Sequence, residues 1–113
     1  MFGVEALETA SEDELFEALG NALLGESRDF KSGRSDRARR FGREWFDDRL
    51  AGLREEVCGS RSVQTMLRAD VGDRMTEIAV VTDAIETLRG HPSATIVAVI
   101  LVRRGLQALC SLE

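Results

Sequence analysis

The chain has 113 residues, of which 43% are hydrophobic and 31% charged, so it is long enough to fold as one domain around an ordinary core. Aromatic residues make up 5%, Tyr is absent and there is one Pro, which argues against an all-β sandwich or barrel. The net charge of −5 argues against a general affinity for nucleic acid or anionic membranes. We therefore expect one helical domain over residues 1–113.

The basic residues indicate the source of the protein, and the cysteines indicate its cellular compartment. Arginine supplies 14 of the 15 basic residues, a ratio typical of a GC-rich coding sequence, and we expect a bacterial source. Cys58 and Cys110 are too few for a disulfide scaffold, and no secretory-signal pattern is visible. We expect both cysteines to be reduced, structural residues of a cytoplasmic protein.

The first half of the chain predicts two helices. Residues 1–10 form an N-terminal arm or a short helix. Ser11 to Glu14 is a capping box, which together with the apolar spacing that follows predicts a helix over 12–24. Residues 26–34 read as a loop, and a second helix then runs from Ser35 or Asp36 to about Cys58.

The apolar residues of this second helix do not form one stripe. Either the helix packs against other elements on two sides, which we favour, or it bends near Gly42. The first face holds Ala38, Phe41 and Trp45, and the second holds Phe46, Leu50, Leu53 and Val57.

The second half predicts a short helix from about Ser60 to Ala69 and a helix over 73–89, capped by Asp73 and stopped by the Gly90-His91-Pro92 turn. The stripe expected to face the core of the 73–89 helix comprises Met75, Ile78, Ala79, Thr82, Ile85 and Leu88.

The apolar segment near the C-terminus admits two structures. We predict one buried helix over 94–110, because no other segment offers a strand partner. The runner-up is a strand at 95–102, which the β-branched residues favour and which would make the fold α+β. The apolar run 94–102 is too short to span a bilayer, which takes about 20 residues. The fold class expected is therefore an all-α bundle of five or six helices. Residues 112–113 match a remnant before a purification tag and are assigned no function.

The sequence lacks the residues that most catalytic mechanisms require. One His and two distant Cys do not make a zinc site, and no glycine-rich phosphate loop is present. Adjacent acids on a helix point about 100° apart and do not form a facing pair. We predict no catalytic residue, no metal site and no cofactor, although an enzyme relying on carboxylates and arginines alone stays an alternative.

The strongest signal is the segregation of charge along the chain. Residues 1–26 carry seven acids and no base, and residues 44–60 carry a charge of −3. Residues 27–43 carry +5, with basic residues Arg28, Lys31, Arg34, Arg37, Arg39, Arg40 and Arg43. Three interpretations follow, in decreasing weight: neutralisation by acids of the same chain, contact with acids of another copy or a partner, and contact with phosphates.

An interaction surface is the expected functional feature. We expect Trp45 either to pack on the N-terminal arm or to anchor an interface, since Trp and Arg are enriched in interface hot spots. The candidate surface comprises Arg34, Arg37, Arg39, Arg40, Arg43 and Trp45.

Three functions are carried forward. The first is a non-enzymatic protein–protein interaction module, an adaptor or regulator that binds a protein partner or itself. The second is a nucleic-acid-binding regulator that uses the Arg-rich strip 28–43. The third, by analogy of size and helix count alone, is a death-fold-like signalling module of a bacterial effector or defence system. No membrane partner is expected.

Overall fold

Six α-helices and a short 3-10 helix make up the described part of the chain. This computed structural model describes Leu7 and residues 9–24, 34–69 and 73–110. Those ranges contain no strand, so the all-α prediction is confirmed and the strand at 95–102 is wrong. The helices are α1 (Glu12–Leu24), α2 (Arg34–Cys58), α3 (Arg61–Ala69), α4 (Arg74–Ala84), the 3-10 helix (Glu86–Leu88), α5 (Ser93–Arg104) and α6 (Leu106–Cys110).

The capping box opens α1 as predicted. The Ser11 backbone N–H donates to Glu14 Oε1 at 2.9 Å, and the Glu14 N–H donates to Ser11 Oγ at 3.1 Å. These two bonds satisfy donors that the first turn of a helix leaves free, so the helix begins at Glu12.

α1 and α2 cross at two glycines, close enough for their backbones to touch. A Cβ on Gly20 would lie 1.8 Å from the Ala38 carbonyl oxygen, and one on Gly42 would lie 2.2 Å from the Phe16 carbonyl oxygen. Neither position therefore has room for a side chain, and Gly42 serves as a contact point between helices.

The face of α2 that packs on the core confirms the second predicted face: Phe46, Leu53 and Val57 are buried, and Leu50 is half-buried against the same core. The buried residues run at helical spacing through Ala38, Gly42, Phe46, Leu53 and Val57. Phe41, which we placed beside Ala38, is instead 37% exposed. The apolar pattern missed Gly42 in this stripe because it gives glycine no weight, whereas the close helix crossing needs glycine at that point.

The predicted helix over 73–89 is shorter in the structure. Asp73 caps it as expected, with its carboxylate accepting from the Met75 N–H at 3.3 Å. The helix ends at Ala84, and Ile85 takes a non-helical conformation in which its side chain is fully buried. Met75, predicted to face the core, is 43% exposed, and Ala79 is exposed as well.

α5 forms the centre of the core. Every residue from Ser93 to Val102 is buried except Thr95, which is half-buried. The predicted helix over 94–110 is broken at Gly105, whose φ of 105° lies outside the helical region. The five residues of α6 follow this break, with Leu106 packed into the same core.

The two cysteines form a disulfide, so the expectation of reduced thiols is wrong for this structure. The Cys58–Cys110 bond joins the last residue of α2 to the last residue of α6, with the two Cα atoms 5.4 Å apart. The sequence could not reveal this pairing, because the two residues are 52 positions apart and meet only through the fold. None of the described helices is both long and apolar enough to cross a membrane.

Candidate interaction surfaces

The six candidate residues do not form one surface. Residues two positions apart on a helix point about 160° away from each other, so Arg39 and Arg43 lie on the opposite flank of α2 from Phe41. Trp45 lies on the Phe41 flank for the same reason. The side chain of Arg34 and most of the N-terminal arm lie outside the described residues.

One flank of the Arg strip is neutralised within the chain. Arg43 forms an ion pair with Asp13 of α1 at 2.9 Å, and its guanidinium lies 4.8 Å from the centre of the Phe16 ring. Arg39 pairs with Asp36 one turn earlier on α2. The interpretation with the greatest weight, neutralisation by the acidic first helix of the same chain, therefore holds for Arg43, whereas Arg39 pairs with an acid of the basic segment itself.

Arg104 reinforces the same region from α5. Its Nε donates to Glu12 at 3.0 Å, and its guanidinium lies 5.1 Å from the centre of the Phe46 ring. The neighbouring Arg103 donates to the Ala10 carbonyl. Sequence analysis gave these two arginines no role, because they are more than 90 residues from the groups they bind.

Exposed cations and aromatic rings occur near each other towards the opposite flank: Arg37 lies about 40° from Phe41 around the helix, and Arg40 lies about 100° from it, between the two flanks. Arg37 and Arg40 are exposed and form no ion pair with any described residue. Phe41 stands one turn after Arg37, and Trp45 stands one turn after Phe41. We call Arg37, Arg40, Phe41 and Trp45 the basic–aromatic face.

Trp45 is anchored rather than free. The ring is half-buried against the core cluster, and the Arg49 guanidinium lies 5.1 Å from its centre. A cation at this distance over a Trp face is attracted by the ring electrons. Trp45 of the basic–aromatic face is therefore held in place by the core on one side and by Arg49 on the other.

A groove lies at the other end of α2, between α3 and α4. One part, of about 450 Å³, has an apolar lining that includes Met66, Ala69 and Val80. The adjoining part, of about 610 Å³, shares Arg61, Ser62 and Val80 with the first. Its acidic wall consists of Glu55, Glu56, Asp83 and Glu86. We call the whole the acid-walled groove.

The acids of this groove are largely unpaired. Among the described residues, Glu55, Glu56 and Asp83 form no ion pair, and Glu86 lies 3.8 Å from Arg89. Glu56 Oε1 accepts two long hydrogen bonds, both of 3.4 Å, from the backbone N–H and hydroxyl of Thr87. Sequence analysis missed the groove because its acids come from α2, α4 and the 3-10 helix.

Among the described residues, His91 and Ser93 form a pair that resembles a nucleophile with its base. Nδ1 of His91 accepts from the Ser93 backbone N–H at 3.1 Å and lies 2.7 Å from Ser93 Oγ. Because Nδ1 accepts that N–H, the ring proton belongs on Nε2 and the hydroxyl is a second donor to Nδ1. Ser93 is fully buried at the start of α5, so this pair caps a helix.

The described residues contain no group of three or more His, Cys, Asp or Glu side chains arranged to hold a metal ion. No protein-family model matches this chain. Comparisons with curated proteins and with solved structures likewise find no similar chain.

Proposed function

We propose that this protein is a non-enzymatic protein–protein interaction module that binds through its basic–aromatic face. The observation that carries the proposal is the exposure of Phe41 beside Arg37 and Arg40, two guanidinium groups without an acidic partner among the described residues. An aromatic ring that is 37% exposed beside two unpaired guanidinium groups is typical of interface hot spots.

The remaining reactive side chains support a non-enzymatic role. Cys58 and Cys110 are bonded to each other, which leaves neither sulfur as a nucleophile. Ser93, the hydroxyl beside His91, is fully buried, so it is not placed to act as a nucleophile on a substrate.

Nucleic acid is the alternative ligand of the same face, since arginines and exposed rings also bind phosphates and bases. We place it second because Glu44 and Asp48 follow along the same side of α2 and would repel a polyanion that continued along the helix. A protein ligand with local acidic groups meets no such barrier.

Crosslinking from Phe41 in living cells tests the proposal. A photoreactive phenylalanine analogue replaces Phe41 in one variant and the exposed Ala108 of α6 in a control. We expect protein adducts from position 41, none from position 108, and loss of the adducts when R37E and R40E are added. A purified adduct partner should then bind the wild type and not R37E/R40E. Absence of protein adducts at position 41, or adducts with nucleic acid instead, would overturn the proposal.

The cytoplasmic location stays a prediction from the sequence. The disulfide weighs against it, because stable disulfides are rare in a reducing cytoplasm. Rapid alkylation of intact cells measures the state of Cys58 and Cys110: free thiols would support the cytoplasm, and a fully formed bond would contradict it.

A further inference from the structure

The long helix α2 carries opposite charge at its two ends. Its first ten residues, 34–43, contain five bases and one acid, whereas residues 44–58 contain five acids and two bases. The N-terminus of a helix favours acids and the C-terminus favours bases, so this order opposes the helix dipole. The last turn contains Glu55 and Glu56 and no basic residue. A pattern that lowers the stability of an element points to a role other than stability.

The two ends cannot neutralise each other within one molecule. Arg37 and Glu55 are 18 residues apart, which at 1.5 Å per residue is about 27 Å along the helix. Screening at physiological salt acts over about 8 Å, so each end is electrostatically independent of the other. Ion pairs between these charges therefore require a second molecule.

The acid-walled groove has the chemistry that complements the basic–aromatic face. Its apolar part offers Met66, Ala69 and Val80 to a ring such as Phe41. Its four acids, offset by Arg61, give a local charge of −3. Arg37 and Arg40 of the basic–aromatic face carry +2, so one contact between the two surfaces cancels most of the charge of the groove.

We propose that a second copy of this chain is the partner, and that the basic–aromatic face of one copy docks in the acid-walled groove of the next. This inference rests on the proposed function, for which it names the partner. The two surfaces are different and lie at opposite ends of α2, so the contact is head-to-tail and leaves one surface free on each terminal copy. Such heterologous contacts produce rings if they close and open filaments if they do not.

Two variants, each blocked at one surface, test the geometry. R37E/R40E reverses the basic–aromatic face, and E55R/E86R reverses the groove. All four side chains are exposed, so the fold should persist, and circular dichroism checks this. At low salt we expect the wild-type mass to increase with concentration and each variant alone to remain a monomer. In an equimolar mixture both contacts bring opposite charges together, the unchanged face with the unchanged groove and the reversed face with the reversed groove, so the mixture should regain concentration-dependent association.

Two further variants serve as controls. R68E/R74E makes the same change in net charge as R37E/R40E, at exposed positions outside both surfaces, and should associate like the wild type. The fourfold variant R37E/R40E/E55R/E86R restores opposite charges across the contact and should regain concentration-dependent association.

Three results would overturn the inference: a wild type that is monomeric at every concentration, a mixture whose two variants do not associate with each other, or a wild type that stops at a dimer insensitive to either pair of reversals. Adducts between position 41 and a different protein, combined with a monomeric wild type, would reject self-assembly and leave the proposed function standing. A monomeric wild type together with no protein adducts at position 41 would reject both the self-assembly and the proposed function.

Discussion

Gly20 and Gly42 determine how closely α1 and α2 approach. The positions that their Cβ atoms would occupy are filled by backbone of the facing helix, which cannot rotate away as a side chain can. Sequence patterns measure hydrophobicity and so give these residues no signal, although they lie at the centre of the longest helix contact. Phe41 lies on the side of α2 predicted for it, with Trp45, but is 37% exposed rather than packed in the core.

Gly20→Ala should destabilise the protein by about 1–3 kcal/mol, because the new methyl group forces the two backbones apart. Gly52→Ala is the matched control: a Cβ there meets nothing within 4 Å, and alanine should stabilise the helix by about 0.5–1 kcal/mol. Chemical denaturation measures both changes. Equal effects at the two glycines would contradict the close crossing.

His91→Ala should cost about 1–2 kcal/mol, because it leaves the buried Ser93 hydroxyl and the first N–H of α5 without their acceptor. The double variant H91A/S93A removes the stranded hydroxyl too, so it should be more stable than H91A alone. Denaturation midpoints of the two variants compare them, and a double variant less stable than H91A would rule out this cap.

The start of a helix could be predicted where the residues that cap it are its close neighbours in the sequence. The capping box of α1 and the Asp73 cap of α4 each lie within four residues of the helix they begin, so both starts were found. Helix ends depend on the rest of the fold: α4 stops so that Ile85 can enter the core, and Gly105 breaks the final helix so that α6 can turn toward α2. Neither cause is visible in the surrounding residues.

The disulfide holds α6 to the end of α2, and its removal is the expected weak point of the C-terminus. For a loop closed over a separation of 52 residues, we expect reduction to lower the free energy of unfolding by about 4 kcal/mol. Denaturation with and without a dithiol measures this loss. The variant C58A/C110A should be insensitive to the dithiol, and a wild type equally insensitive would contradict a stabilising bond.

The distribution of charge over the surface of the whole molecule could be predicted only in part. The sequence shows blocks of opposite sign but not which acid meets which base: Arg43 finds Asp13, 30 residues earlier, whereas Arg37 and Arg40 find no acid in the described chain. The acid-walled groove could not be predicted from the sequence, because three separate elements supply its acids. Distribution of charge over the folded surface, and not along the chain, decides what is left to bind a partner.

The mass of the wild-type protein as a function of salt is the decisive measurement for head-to-tail association. At about 0.01 M salt the screening length is about 30 Å, and at about 1 M it is about 3 Å. Exposed ion pairs contribute only about 0–1 kcal/mol each, so a contact built from several of them should be strong in the first condition and lost in the second. Light scattering should give a mass well above 12.5 kDa at low salt that returns to 12.5 kDa at high salt. A mass of 12.5 kDa in both conditions, or association that strengthens with salt, would contradict it.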